Sequence, residues 1–138
     1  PELSGLDADR ALRMALIHDL GESHAGDITP SDGVSASEKH ALERLALLQI
    51  VAGLPRGEEW LALWDEYESG ETPEARFVRE MDRLEMGLQA VIYGAEGLAD
   101  PSEFITSARR TVVGGAGRSM LEELIASPKN AGPQYPSD

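Results

Sequence analysis

Residues 8–22 read Ala-Asp-Arg-Ala-Leu-Arg-Met-Ala-Leu-Ile-His-Asp-Leu-Gly-Glu. Wound at about 100° per residue, this stretch gathers Ala8, Ala11, Leu12 and Ala15 on one side and turns Arg10 and Arg13 away. His18, Asp19 and Glu22 fall on the Ala11/Ala15 side, within an arc of about 100°. Small alanines let a neighbouring helix come close, so these three ionisable groups are expected to be covered. Glu22 follows His18 by four residues and Asp19 by three, a spacing that lets all three point toward one region.

The same periodicity runs through most of the chain. A first helix is expected over 6–21, with Asp7 or Asp9 as its cap. Gly26, Asp27, Pro30, Ser31, Asp32 and Gly33 are turn residues, so 22–37 reads as a loop. Ser35 or Ser37 caps a second helix over 38–52, with Leu42, Leu45, Ala46, Leu48, Ile50 and Val51 on its apolar side. A third covers 57–68 and carries Trp60 and Trp64, a pair at i, i+4 that reads as core packing. Thr72 before Pro73 is a strong start signal for a helix over 73–93. Shorter helices are expected over 102–110 and 118–126, followed by a flexible tail over 127–138 rich in Pro, Gly, Ser and Asn. No alternating strand pattern is present, so the expected architecture is all-α in one domain.

The helix 73–93 repeats the oddity of 8–22. Arg76, Arg79, Glu80 and Arg83 form a solvent stripe, but Asp82 projects between Val78 and Met86, with Glu85, Gln89 and Tyr93 beside it. A carboxylate among apolar neighbours is costly unless paired, hydrogen-bonded or bound to a metal. Several buried together without a cation would be forced to hold protons. His plus two Asp suits Mn, Co, Fe, Ni or Zn. Plainer readings stand beside this one. A lone His–Asp dipeptide carries little information, and Asp82 alone also reads as a hydrogen-bonded carboxylate at a helix terminus. His24 and His40 read as solvated, and Glu66, Glu68 and Glu71 as a solvated face.

Composition narrows the function classes. The 138 residues carry 12 Lys+Arg against 25 Asp+Glu, a formal net charge of −13. Such a chain is poorly suited to tracking a nucleic-acid backbone or docking on anionic lipid. There is no cysteine, hence no disulfide and no thiolate chemistry, which fits a cytoplasmic address. No apolar run approaches a membrane span.

The run Ala15-Leu-Ile-His18-Asp19-Leu-Gly-Glu22, followed by Gly26-Asp27-Ile28-Thr29-Pro30, resembles the signature of HD-domain metal-dependent phosphohydrolases, and more narrowly their 5′-deoxynucleotidase branch. Glu38-Lys39-His40, Leu63-Trp64-Asp65-Glu66-Tyr67-Glu68 and the segment 75–86 are similar to that branch in order and spacing, over 6–93 in all. The resemblance implies an all-helical bundle and, as ligands of a divalent metal, His18, Asp19 and Asp82. It implies Glu22, Asp27 and the backbone carbonyl of Ile28 around catalytic water or a second cation, with Glu22 and Asp27 as catalytic groups. Lys39 is a candidate phosphate contact. The cation is left open among Mn, Co, Mg, Fe, Ni and Zn. The implied activity is hydrolysis of deoxyribonucleoside 5′-monophosphates by a homodimer. Its rivals are an HD phosphohydrolase acting on a triphosphate or signalling nucleotide, and a non-catalytic helical interaction module.

Relatives of this kind also carry a histidine on a helix upstream of the His–Asp pair. His24 and His40 come after it and do not match that position. With Pro1 in place of an initiator Met, the expectation is an HD domain over 1–126 that lacks its N-terminal helices. Without that histidine the chain alone is expected to be metal-poor and weakly active or inactive.

Overall fold

Asp7 starts the first helix: its carboxylate accepts from the backbone N–H of Arg10 at 3.0 Å, satisfying one of the donors that a helix N-terminus leaves over. The computed structural model describes residues 5–25, 33–98, 100–112 and 115–126, all helix and turn with no strand. The helices are α1 (Ala8–Ile17), α2 (Leu20–Ala25), α3 (Ala36–Val51), α4 (Gly57–Ser69), α5 (Pro73–Ala95), α6 (Ser102–Thr111) and α7 (Gly115–Ala126). Among the described residues no helix is long and apolar enough to cross a membrane. The expected tail, 127–138, lies outside the described residues.

The chain divides within α5 into two compact units, Leu6–Val78 and a unit drawn from Arg79 onward. In the first, α1 packs on α4, and α3 packs on both α2 and α4. The core joins Ala11, Met14 and Ile17 of α1, Leu47 and Val51 of α3, Leu63 and Trp64 of α4, and Ala75 and Val78 of α5. Ser35 caps α3 in a capping box with Glu38. The Thr72 hydroxyl accepts from Ala75 N–H at 3.2 Å at the start of α5. In the second unit, α6 packs on α7 around Ala108, Val112 and Leu121.

Three expectations are corrected here. The first helix does not run through to Gly21: α1 stops at Ile17, His18 and Asp19 form a turn, and α2 then occupies part of the expected loop. The buried face of α1 is Ala11–Met14–Ile17, while Leu12, Ala15 and Leu16 are exposed. Burying Met14 and Ile17 removes more apolar surface from water than the alanine face offers. On α3 the same competition favours Leu47 over Leu42, Leu45 and Leu48, which are exposed.

Candidate metal centre

The turn between α1 and α2 puts His18 where its backbone and its ring are both held. Its N–H continues the ladder to Met14 O at 3.0 Å, and its carbonyl accepts from the Trp64 indole N–H at 3.1 Å. The imidazole stands edge-on to Tyr67, with ring centres 5.1 Å apart. Its Nδ1 lies 2.7 Å from the Ala15 carbonyl. A carbonyl can only accept, so Nδ1 carries the proton, and in the neutral ring Nε2 presents a lone pair. That Nε2 is 3.1 Å from Asp19 Oδ2. Two lone pairs face each other at contact distance unless a proton or a cation lies there, and this arrangement fits a metal.

The expectation that all three groups of 8–22 are covered is met only by His18, whose side chain is 17% exposed against 68% for Asp19. Glu22 is exposed as well. Asp19 sits in the turn and Glu22 on α2, so the projection of one continuous helix does not apply to them. Asp82 lies one turn beyond Val78 on α5 and is 21% exposed, with Arg83 Nε at 3.8 Å. His18 and Asp19 thus bring an imidazole and a carboxylate to one turn of the first unit, and Asp82 is a partly buried carboxylate on α5. One imidazole and two carboxylates make a donor set of the kind divalent transition metals take.

Glu22 reaches α3: its Oε1 is 3.2 Å from Lys39 Nζ, which also stands 3.2 Å from Glu43 Oε1. Burial pulls the Lys39 ammonium toward deprotonation, but its hydrogen bond to Glu22 and its ion pair with Glu43 outweigh it and hold the pKa above its ordinary value. Burial raises the Glu43 carboxyl, partly opposed by Lys39. The helices approach this closely because residue 21 is glycine: a Cβ there would lie 2.9 Å from the Glu43 carbonyl oxygen. Lys39, expected as a phosphate contact, is thus shared between two carboxylates. Asp27 and Ile28 lie outside the described residues, as does the His24 side chain.

Sequence reasoning missed Trp64 and Tyr67 as supports of His18, because an aromatic at core spacing gives no sign of where its polar edge bonds. Glu66 is no solvated group: it is mostly buried, ion-paired with Arg10, and its Oε1 accepts from the Thr72 hydroxyl at 2.7 Å. His40, read as solvated, rests its ring on Trp64 at 5.0 Å between centres.

The HD domain family model matches residues 1–118, and the chain belongs to the HD domain family. It is 44% identical over 90 residues to 5′-deoxynucleotidase HDDC2 of Mus musculus, a match covering 64% of this chain and 45% of that protein. With 5′-deoxynucleotidase hdd1 of Schizosaccharomyces pombe it shares 40% identity over 107 residues, 72% of this chain and 54% of that protein. The chain spans about half the length of the curated relatives it matches. Its fold is similar to the crystal structure of a predicted metal-dependent phosphohydrolase from Magnetospirillum magnetotacticum, with a TM-score of 0.59 at 27% identity, covering 94% of this chain and 71% of that one.

Proposed function

We propose that this chain carries the catalytic core of a metal-dependent 5′-deoxynucleotidase, which hydrolyses deoxyribonucleoside 5′-monophosphates to deoxynucleoside and phosphate. The observation that carries the reading is the approach of His18 Nε2 to Asp19 Oδ2 at 3.1 Å within one turn; the names of the relatives in mouse and fission yeast support the substrate class. His18, Asp19 and Asp82 would hold the cation, with Glu22, Asp27 and the Ile28 carbonyl beside it. A divalent ion there supplies positive charge against the phosphate oxygens and acidifies water. Glu22 takes the proton of the attacking water as its oxygen bonds to phosphorus. The bond from phosphorus to the 5′-oxygen breaks, and Asp27 assists protonation of that oxygen. Lys39 keeps the Glu22 carboxylate oriented through its ion pair. The Nδ1–H bond from His18 to Ala15 O and the indole bond from Trp64 hold the imidazole through the cycle.

The reading includes a homodimer in the cytoplasm, which sedimentation and cell fractionation would test. It includes no nucleic-acid polymer and no membrane partner, in keeping with the −13 charge. The activity is tested by purifying the chain with Co²⁺ or Mn²⁺ and following phosphate release from deoxyribonucleoside monophosphates, ribonucleotides and triphosphates. Release from the deoxymonophosphates, abolished by EDTA and by Asp82→Asn, is the expected result. Release from triphosphates alone would favour another HD phosphohydrolase. No bound metal and no metal-induced thermal shift would leave a non-catalytic helical module.

A further inference from the structure

Beyond Asp82, the same face of α5 continues into a cleft of about 250 Å³ whose other wall is the start of α6. Met86, Gln89 and Tyr93 lie in this cleft, and with Asp82 they fall within about 60° of one azimuth of the helix. Gln89 is two turns past Asp82, about 10 Å along the axis, and Tyr93 one turn further. Across from them stand Pro101 and Phe104. The wall is built close: a Cβ on Gly94 would lie 2.8 Å from Pro101 Cγ, so only glycine lets the segment before α6 close on α5. Tyr93 is 47% and Phe104 46% exposed, large rings left open to solvent at the mouth.

The lining is mainly apolar, with polar groups at few points. Asp100 is engaged by Ser102, whose N–H and hydroxyl donate to its Oδ1 at 3.0 and 2.6 Å. Glu85 adds a second carboxylate at the rim. Two acids at the rim repel a phosphate, so the end of a nucleotide that suits this cleft is its uncharged one. A planar base offers faces for the two aromatic rings and edge groups for the Gln89 amide, which both donates and accepts.

From this we infer that the α5–α6 cleft is the base-binding subsite, with Tyr93 and Phe104 as stacking surfaces and Gln89 as the residue that discriminates between bases. The inference rests on the nucleotidase reading and assigns the far end of that same substrate. The phosphate is held at the Asp82 end of α5, and the base lies two to three turns along the same face. The length of a nucleoside monophosphate is comparable with that separation.

The test compares kcat/KM for dAMP and dTMP with that for deoxyribose 5-phosphate, which keeps the phosphoester and lacks the base. Phe104→Ala and Tyr93→Ala should each lower kcat/KM on the nucleotides about tenfold and change the base-free substrate less than about twofold. Gln89→Ala should alter the dAMP/dTMP ratio. Both rings are half-exposed, so the fold should tolerate their truncation, and unchanged far-UV circular dichroism checks this. Binding of deoxyadenosine and thymidine to the Asp82→Asn chain, read by saturation-transfer NMR, gives a measure free of turnover. That binding should be lost on adding Phe104→Ala. An equal loss on base-bearing and base-free substrates, or no loss on either, overturns the assignment. If the unmutated chain releases phosphate from nothing, the nucleotidase reading has failed. The nucleoside binding then decides the cleft alone: Phe104-dependent binding supports it, and no binding overturns it.

Discussion

The position of the His18 ring is set by the last turn of α1 and by two aromatic residues of α4. A histidine ligand needs its non-coordinating nitrogen bonded, since that bond selects the tautomer and limits rotation. Here the acceptor is the Ala15 carbonyl, a backbone group that no substitution removes. The replaceable support is Trp64, whose indole N–H closes on the His18 carbonyl while its ring sits in the core. Trp64→Phe keeps most of the packing and deletes the bond. We expect a loss of about 1 kcal/mol in stability and about tenfold weaker metal binding, read by chemical denaturation and by isothermal titration with Mn²⁺. Unchanged metal affinity would make the indole bond purely structural. Glu66 gives a second prediction. The Arg10 guanidinium, followed by the Thr72 hydroxyl, holds its carboxyl below the ordinary value of 4.5, against an opposing desolvation. A depressed carboxylate pKa contributes stability that is present above the unfolded value and lost as pH falls through the folded one. Glu66→Gln should therefore destabilise at pH 7 by about 1–3 kcal/mol. The gap to the parent chain should narrow below about pH 4.5, as urea denaturation at a series of pH values would show.

Between helices, the contact that shapes the centre is α2 on α3. Gly21 faces the Glu43 carbonyl, and an added methyl would stand 2.9 Å from that oxygen. Both partners of the close contact are rigid, one being backbone, so Gly21→Ala should push α2 away at about 1–3 kcal/mol. It would also part Glu22 from Lys39. A lower melting temperature together with a fall in kcat is expected; lost stability with full kcat would mean that Glu22 works without its lysine. Local chemistry made most of the elements legible: Asp7 or Asp9, Ser35 or Ser37, and Thr72-Pro73 marked three helix starts, and the structure settles on Asp7, Ser35 and Thr72. His18, Asp19 and Asp82 were singled out as ionisable groups at apolar positions whose order resembled a known signature, but of the pair His18–Asp19 only His18 is covered, because Asp19 sits in the turn. The α1–α2 break was not, since helical periodicity continues in register past His18 and the bond that stabilises the turn comes from Trp64, 46 residues away. Glu80 failed for a related reason. It projected with the arginines of a solvent stripe, yet it is 6% exposed and its Oε1 has no hydrogen-bond partner. A Cβ on Gly117 would lie 3.7 Å from that oxygen, so α7 passes close by without a side chain in between. One helix read alone does not say which of its polar faces another helix will cover.

Taken as a whole, the chain poses an electrostatic problem for the substrate proposed for it. A nucleoside monophosphate carries up to two negative charges and must approach a chain of net charge −13. The repulsion acts over a Debye length of about 10 Å at 0.1 M ionic strength and about 30 Å at 0.01 M. Attraction by a cation held at His18, Asp19 and Asp82 acts at short range, where it is screened far less. Salt therefore weakens the unfavourable long-range part and leaves the favourable local part nearly intact. This inverts the usual pattern, in which a protein of opposite charge steers its ligand and salt slows association. Raising ionic strength from 0.01 to 0.15 M with KCl, at saturating Mn²⁺, should raise kcat/KM for a deoxyribonucleoside monophosphate by about two- to fivefold. The rise should appear in KM and leave kcat flat, because the screened step is encounter and binding. Steady-state kinetics across the salt series decides it. A fall in kcat/KM with salt would mean that local positive charge at the site outweighs the whole-chain field even at a distance, and that the acidic surface plays no part in substrate approach.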